Sequence, residues 1–211
     1  QPDIGVPLHL IDAKNVLPGL QAYGPLAALA QTTDAIDARC RGLFGSRDVD
    51  QAGRLYAGDS TKLYQLGGLA WEDYSQVGGY GPASDATRWR WATFGDRLLA
   101  VNGIDPVQYI DMSSGATAFA DLAGSPGIPE YVASYGEFIF IAGGDLGANV
   151  LKWSAIGNSE GWTPGSGMSD EQELADGGRI TGLVATRSVL YVLQEQCIRR
   201  VLFVGGDVIM K

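Results

Sequence analysis

A β-strand unit that recurs along most of the chain is the feature that most constrains its fold. The residues that open the second strand of the successive units are Arg54, Arg97, Glu137 and Ser188. They are separated by 43, 40 and 51 positions. A four-stranded unit at this spacing is typical of a β-propeller, in which each unit forms one blade. The repeat therefore predicts an all-β propeller of four-stranded antiparallel blades.

Residues 88–111 form the clearest unit. Arginine and tryptophan alternate over residues 88–91, so a strand there places both tryptophans on one face and both arginines on the other. Gly95 and Asp96 follow, and a glycine that leads a two-residue turn suits the type II′ geometry of tight hairpins. Residues 98–101 predict a short apolar strand, and residues 107–110 return the chain.

Four units are visible, and the last is incomplete. The predicted strands are 40–46, 54–57, 62–66 and 69–74; 88–91, 98–101, 107–110 and 118–122; 131–134, 138–142 and 150–154; and 180–185, 189–194 and 197–204. Because one blade cannot cover both of its own faces, neighbouring blades must pack face to face, which explains the apolar second strands. A β-sandwich or barrel with evenly spaced hairpins is the alternative interpretation.

The predicted organisation is an N-terminal lead-in arm over residues 1–38, followed by propeller blades over residues 39–211. The lead-in is rich in proline and contains a candidate strand at residues 12–16. Either this strand completes the last blade, or residues beyond the chain do so. The chain starts at Gln1 without a methionine and ends just after residues 208–210, which resemble the start of a strand. We therefore expect it to be part of a longer protein.

Composition excludes some classes of function. The chain is 45% apolar and 18% charged with 30 glycines, which indicates a turn-rich globular protein and not a disordered one. Its net charge of −9 argues against a grip on nucleic acid through phosphate neutralisation. The sequence contains no run of 18 apolar residues, so it predicts no membrane-spanning helix. Cys40 and Cys197 are expected to be reduced thiols on strands, with a disulfide as the alternative in a secreted protein.

Few residues suggest chemistry. The single histidine, His9, lies in the lead-in, and no nucleophile motif or cluster of zinc ligands accompanies it. The stretch from Asp48 to Asp59 has carboxylates at the first and third places and glycine at the sixth, like the start of a calcium loop. However, alanine occupies the fifth place and the twelfth residue is aspartate. A polar hairpin turn explains the same residues, so we predict no metal, no cofactor and no catalytic residue.

An acidic run follows the third unit and contains Asp170, Glu171, Glu173 and Asp176. A glycosidase could use two such carboxylates as acid and nucleophile, but that role needs environments that separate their pKa values. An exposed acidic loop is the simpler interpretation. The five tryptophans could form a platform for sugars, although packing between blades explains their positions near strands equally well.

Several stretches together resemble a known group of proteins. They are residues 89–105 (WRWATFGDRLLAVNGID), residues 153–158 (WSAIGN) with Trp162, residues 194–200 (QEQCIRR) and the lead-in segment 12–16 (DAKNV). As a set they resemble virion proteins of tailed bacteriophages, similar in architecture to the β-propeller tail-nozzle and packaged-DNA stabilisation proteins of short-tailed phages. The resemblance covers roughly residues 10–207. It implies no catalytic residues.

The resemblance implies a structural component of a phage tail or head–tail junction that is not an enzyme. We expect it to assemble as a homo-oligomeric ring around the DNA channel, to contact other head–tail or tail proteins, and to reside in the virion. The acidic loop would face the channel and keep passing genomic DNA from adhering. The alternatives are a propeller that binds or cleaves carbohydrate during host adsorption, and a repeat scaffold unrelated to phages.

Overall fold

The computed structural model describes residues 16–18, 23–25 and 30–205. The chain divides into two compact units, Gln1–Thr32 and Thr33–Lys211. In the first unit, β1 (Val16–Pro18) and β2 (Tyr23–Pro25) form an antiparallel hairpin. His9 and the first four residues of the predicted strand 12–16 lie outside the described residues.

The second unit consists of four antiparallel sheets in chain order. Sheet 1 contains β3 (Gly42–Arg47), β4 (Gly53–Gly58), β5 (Leu63–Gly67) and β6 (Ala70–Asp73). Sheet 2 contains β7 (Arg90–Phe94), β8 (Arg97–Val101), β9 (Gln108–Asp111) and β10 (Ala120–Asp121). Sheet 3 contains β11 (Tyr131–Tyr135), β12 (Phe138–Ala142), β13 (Val150–Trp153) and β14 (Asp170–Glu173). Sheet 4 contains β15 (Ile180–Ala185), β16 (Leu190–Gln194) and β17 (Ile198–Val201).

Each sheet is a simple meander, because every strand pairs with the next one along the chain. The shortest turns are those predicted from glycine. Gly95 has a φ of 59° and joins Phe94 to its register partner Arg97, and Gly136 has a φ of 60° in the equivalent turn of sheet 3. A positive φ at the first turn residue is what a II′ hairpin requires, and glycine adopts it without steric cost.

Side chains on the middle sheets alternate between two hydrophobic cores. In β8, Leu98 packs in the core shared with sheet 1, whereas Leu99 packs in the core shared with sheet 3. In β12, Ile139 faces sheet 2 and Phe140 faces sheet 4. Successive residues of a strand point to opposite faces, so a central strand between two cores must be apolar throughout. The sheets are therefore stacked face to face in chain order.

The first strands of the four sheets begin side by side. The backbone amide of Trp89, just before β7, donates to the carbonyl of Arg41, just before β3, at 3.1 Å. The Arg90 guanidinium then donates to the carbonyl of Glu130 at 2.9 Å, and Arg179 donates to the Glu130 carboxylate at 2.7 Å. Meander sheets stacked in sequence, with their first strands gathered together, form a β-propeller. The predicted all-β propeller fold is confirmed.

A polar side chain near the turn after the second strand holds the connection arriving from the previous sheet. Asp105 accepts from the amide of Gly81 at 3.0 Å in sheet 2. Asp145 accepts from the amide of Ile128 at 2.6 Å in sheet 3. In sheet 4, Gln194 donates to the carbonyl of Gly178 at 2.7 Å. Because this hydrogen bond recurs in sheets 2, 3 and 4, it fixes the connection from each sheet against the sheet that follows.

The prediction of an acidic loop was wrong in its secondary structure. Residues Asp170–Glu173 form β14, the fourth strand of sheet 3, and this strand pairs with β13. The register places Lys152 opposite Glu171, a favourable arrangement of opposite charges across strands. Polar residues suit this strand because it is the edge of its sheet, where charged side chains discourage further pairing.

Cys40 and Cys197 are free thiols. The part of the chain described here contains no helix with the length and apolar character needed to cross a bilayer.

Candidate functional site

The four first strands line a common cleft, which we call the axial cleft. Its walls are Phe44 of β3 and residues 91–93, 132–134 and 183–185 of β7, β11 and β15. The cleft has a volume of about 550 Å³. This size lies within the roughly 300–1,000 Å³ of typical small-molecule sites. Since each sheet contributes one strand, the cleft marks the axis around which the sheets are arranged.

The mouth of the axial cleft carries a group of arginines. We use the name arginine cluster for Arg39, Arg41, Arg88, Arg90 and Arg179, which lie at or near the starts of β3, β7 and β15. Two carboxylates lie among them. Asp85 pairs with Arg39 at 3.2 Å and also with Arg41, and Glu130 pairs with Arg179.

Arg90 is the member whose environment is most unusual. Its guanidinium carbon lies 4.3 Å above the ring centre of Tyr131, and its hydrogen bonds go to the carbonyls of Arg88 and Glu130. Within the described chain it has no carboxylate in salt-bridge range. Burial lowers the pKa of Arg90; attraction to Tyr131 and Glu130 opposes this shift, and repulsion from Arg88 and Arg179 adds to it. Arg90 is thus a partly buried cation beside two other cations and the carboxylate of Glu130.

Another arginine, Arg97, joins sheet 2 to the long segment between β13 and β14. It forms a two-pronged bond with Asp111, at 2.8 and 3.3 Å, and it also donates to Glu160 at 2.7 Å and to Ser159 at 2.8 Å. Its guanidinium carbon lies 4.2 Å from the ring centre of Tyr109. Burial opposes its charge, but the bonds to Asp111 and Glu160 raise the pKa of Arg97 above its ordinary value. These contacts occupy the Arg97 guanidinium, so its role is to hold sheet 2 against the segment between β13 and β14.

The four acidic residues singled out in the sequence lie away from the axial cleft. Asp170, Glu171 and Glu173 belong to β14, the outermost strand of sheet 3, and Asp176 lies in the connection to sheet 4. Strands β12 and β13 stand between β14 and the first strand of that sheet. The Glu173 carboxylate accepts from the Asn149 amide at 3.2 Å. These carboxylates therefore lie on the outer edge of sheet 3 and in the connection that follows it.

The stretch considered as a calcium loop is a hairpin turn followed by a strand. Strand β4 (Gly53–Gly58) separates Asp48 from Asp59, so the two carboxylates lie at opposite ends of a six-residue strand. Asp48 accepts from Arg54 at 3.0 Å and from the amide of Ala52 at 2.9 Å. Asp59 accepts from the Tyr64 hydroxyl at 2.8 Å. Among the residues described, no cluster of His, Cys, Asp and Glu has the makings of a metal site.

Most of the tryptophans pack in the hydrophobic cores between sheets. Trp89, Trp153 and Trp162 are buried in the cores between sheets. Trp91 is partly buried and packs against Phe44, with ring centres 6.3 Å apart. The alternation over residues 88–91 predicted that Trp89 and Trp91 share a face, and both do pack between sheets 1 and 2.

The arginine cluster was not anticipated. Its members are scattered over about 140 residues of sequence, from Arg39 to Arg179, and each looks like an isolated surface charge. The only sequence signal is position, since arginine recurs just before or at the first strand of sheets 1, 2 and 4. That signal acquires meaning only when the first strands are known to gather around one axis.

Comparison with known proteins supports the fold and gives no family. No protein-family model matches the chain, and no curated protein matches it in sequence. Among solved structures, it is similar to the computationally designed Ika4 protein, with a TM-score of 0.55 and 9% identity over 82% of this chain and 98% of the other. It also matches virginiamycin B lyase from Staphylococcus aureus, with a TM-score of 0.47 and 13% identity over 76% of this chain and 51% of that one. At this low identity, the similarity to the designed protein shows a shared fold and says nothing about function.

Proposed function

We propose that the chain is a non-enzymatic structural subunit of a bacteriophage tail or head–tail junction, and that copies of it assemble into a ring around the DNA channel. The observation that carries this proposal is the exposed apolar outer face of sheet 4, at one end of the stack of sheets. On sheet 4, Ile198 is 68% exposed and Val184 is 48% exposed. On sheet 1, Leu43 of the first strand is 57% exposed, whereas Ala57 and Tyr64 in the same row are buried. The sequence resemblance to phage propeller proteins is the reason for placing this assembly in a phage tail or head–tail junction.

The outer face of sheet 4 resembles the faces that are buried between sheets. The strand register aligns Val184 with Tyr191 and Arg200 in one row, and Leu193 with Ile198 in the next. Most of these side chains are apolar or aromatic. A contiguous apolar face is a common sign of a protein–protein contact.

A second copy of the chain is the partner that fits this face. Within the chain, each sheet packs one face on the sheet before it and the other on the sheet after it, as Leu98 and Leu99 show. Sheet 4 lacks a following sheet among the described residues, and Leu43 in the first strand of sheet 1 is exposed, so sheet 4 of one copy can pack against the first strand of sheet 1 of the next. Head-to-tail contacts between identical subunits close into rings when the rotation allows it.

Native mass spectrometry of the purified chain tests this assembly. We expect a defined oligomer, and we expect Ile198→Glu to shift the population to monomer because a charge would be buried in the contact. Val77→Glu is the matched control, since Val77 is an exposed apolar residue in the connection between sheets 1 and 2. A monomeric wild type at high concentration, or an Ile198→Glu variant that keeps the oligomer, would contradict the proposal.

A further inference from the structure

The arginine cluster carries an excess of positive charge within a negatively charged protein. Ion pairs connect Arg39, Arg41 and Arg179 with the carboxylates of Asp85 and Glu130, and Arg88 and Arg90 donate to backbone carbonyls. The Glu195 carboxylate also lies beside Arg179, so the five guanidinium groups exceed the neighbouring carboxylates by two charges. The whole chain has a net charge of −9. Like charges held close together destabilise the folded state unless a counter-charge offsets them. This region of the surface is therefore suited to an anion.

Two members of the cluster have hydrogen-bonding capacity that the described residues do not use fully. Arg41 has a buried Nε that lacks an acceptor within the described chain, although its other guanidinium arm pairs with Asp85. Arg90 bonds to two carbonyl oxygens through a single nitrogen, which leaves the rest of its fork unbonded by described residues. A buried donor without a partner, such as the Arg41 Nε, calls for an explanation, and ligand binding is one. The unbonded donors of Arg90 are not buried and are open to a ligand.

The position of the cluster favours a ligand of small size. Arg90 directly precedes residues 91–93, which line the axial cleft, and Tyr131 beneath it directly precedes residues 132–134. A molecule held at the mouth by the arginines can extend into the cleft. Its lining includes apolar side chains together with the hydroxyls of Thr93 and Ser134. Such a mixture is common in small-molecule sites.

We infer that the arginine cluster at the mouth of the axial cleft binds a phosphate group, either free or carried by a small molecule. Guanidinium forks match the oxygens of phosphate in pairs, and a doubly charged anion offsets the local excess of two positive charges. A long polyanion fits poorly, because its grip needs many neutralised phosphates and the rest of this acidic protein repels it. This inference concerns the single subunit and does not depend on ring formation.

Binding of pyrophosphate and inorganic phosphate, measured by isothermal titration calorimetry at constant ionic strength, tests the inference. We expect saturable binding to the wild-type chain, with sodium chloride giving none. Arg90→Gln should weaken the affinity at least about tenfold, because one good charge-assisted contact is worth that much. Arg88→Gln, at an exposed site, should weaken it too and guards against a folding defect in the Arg90 variant.

Arg187→Gln is the matched control, since Arg187 lies just beyond the opposite end of β15 and outside the cluster. This variant should bind like the wild type. A short single-stranded oligonucleotide forms a second arm and should bind at least about tenfold more weakly than pyrophosphate. Absence of saturable binding, an equal loss in Arg187→Gln, or tighter binding of the oligonucleotide would overturn the inference.

Discussion

Leu98 and Leu99 are consecutive residues of β8, yet their side chains lie in two different hydrophobic cores. Both are fully buried. Leu98 contributes to the contact between sheets 1 and 2, and Leu99 contributes to the contact between sheets 2 and 3. The pair therefore shows in two residues how sheet 2 is packed between its neighbours.

Truncation of either leucine should destabilise the protein to a similar extent. Leu98→Ala and Leu99→Ala each remove a buried side chain and leave a cavity, so each should lower the free energy of unfolding by about 2–5 kcal/mol. Leu69→Ala is the control, because Leu69 is 66% exposed in a turn of sheet 1 and should cost less than about 0.5 kcal/mol. Urea unfolding followed by tryptophan fluorescence measures all three. A small loss for only one of the two buried leucines would indicate that one face of sheet 2 is not packed.

Two buried tyrosines should respond in opposite ways to loss of the hydroxyl. The Tyr56 hydroxyl is buried, and none of the described residues pairs with it. We therefore expect Tyr56→Phe to be neutral or slightly stabilising at pH 7. Tyr64 donates to Asp59 at 2.8 Å, so Tyr64→Phe should cost about 1–3 kcal/mol. Equal losses of unfolding free energy in the two variants would contradict the difference in their surroundings.

The stability should also fall at alkaline pH. Burial raises the pKa of Tyr56 to about 12, above the value of about 10 for an unfolded chain. The folded state thus favours the neutral phenol, and this contribution is complete below pH 10 and is lost as the pH rises towards 12. Tyr56→Phe should reduce the loss of stability over this window, as measured by urea unfolding at a series of pH values. An unchanged pH dependence would show that other groups cause it.

Much of the fold was predictable because its signals are local. The glycine turns and the apolar second strands fixed the position of β8, β12 and β16 to within one residue, since strands buried on both faces must be uniformly apolar. Strand β14 was missed because its residues are acidic, and nothing local shows that a polar segment pairs with Leu151 and Trp153. The arginine cluster depends on contacts between distant segments, as in the pairing of Arg179 with Glu130. The arginine cluster can therefore be recognised only in the folded structure.

The acidic residues give a prediction about DNA. We expect no measurable binding of duplex DNA at physiological salt, because the net charge of −9 opposes it. Changing Asp170, Glu171, Glu173 and Asp176 to their amides should alter the unfolding free energy by less than about 1 kcal/mol, since surface substitutions have small effects.

A ring joined through sheets 1 and 4 continues the arrangement within the chain, so β14 stays at its outer edge. We therefore expect particles carrying the same amide variants to eject DNA at the normal rate, because the field of these carboxylates extends only about 10 Å at 0.1 M salt. Ejection kinetics followed with a DNA-binding dye provide the measurement. Slower ejection would place β14 beside the DNA and would contradict contact through sheets 1 and 4.

The most direct test of the proposed role is electron cryomicroscopy of the native phage particles in which the proposal places this chain. The proposal predicts a ring of identical copies in the tail or at the head–tail junction, with neighbouring copies in contact through the outer faces of sheets 1 and 4 and with DNA passing through the centre. Absence of the chain from the particle, or its presence as separate copies away from the DNA channel, would contradict the proposal.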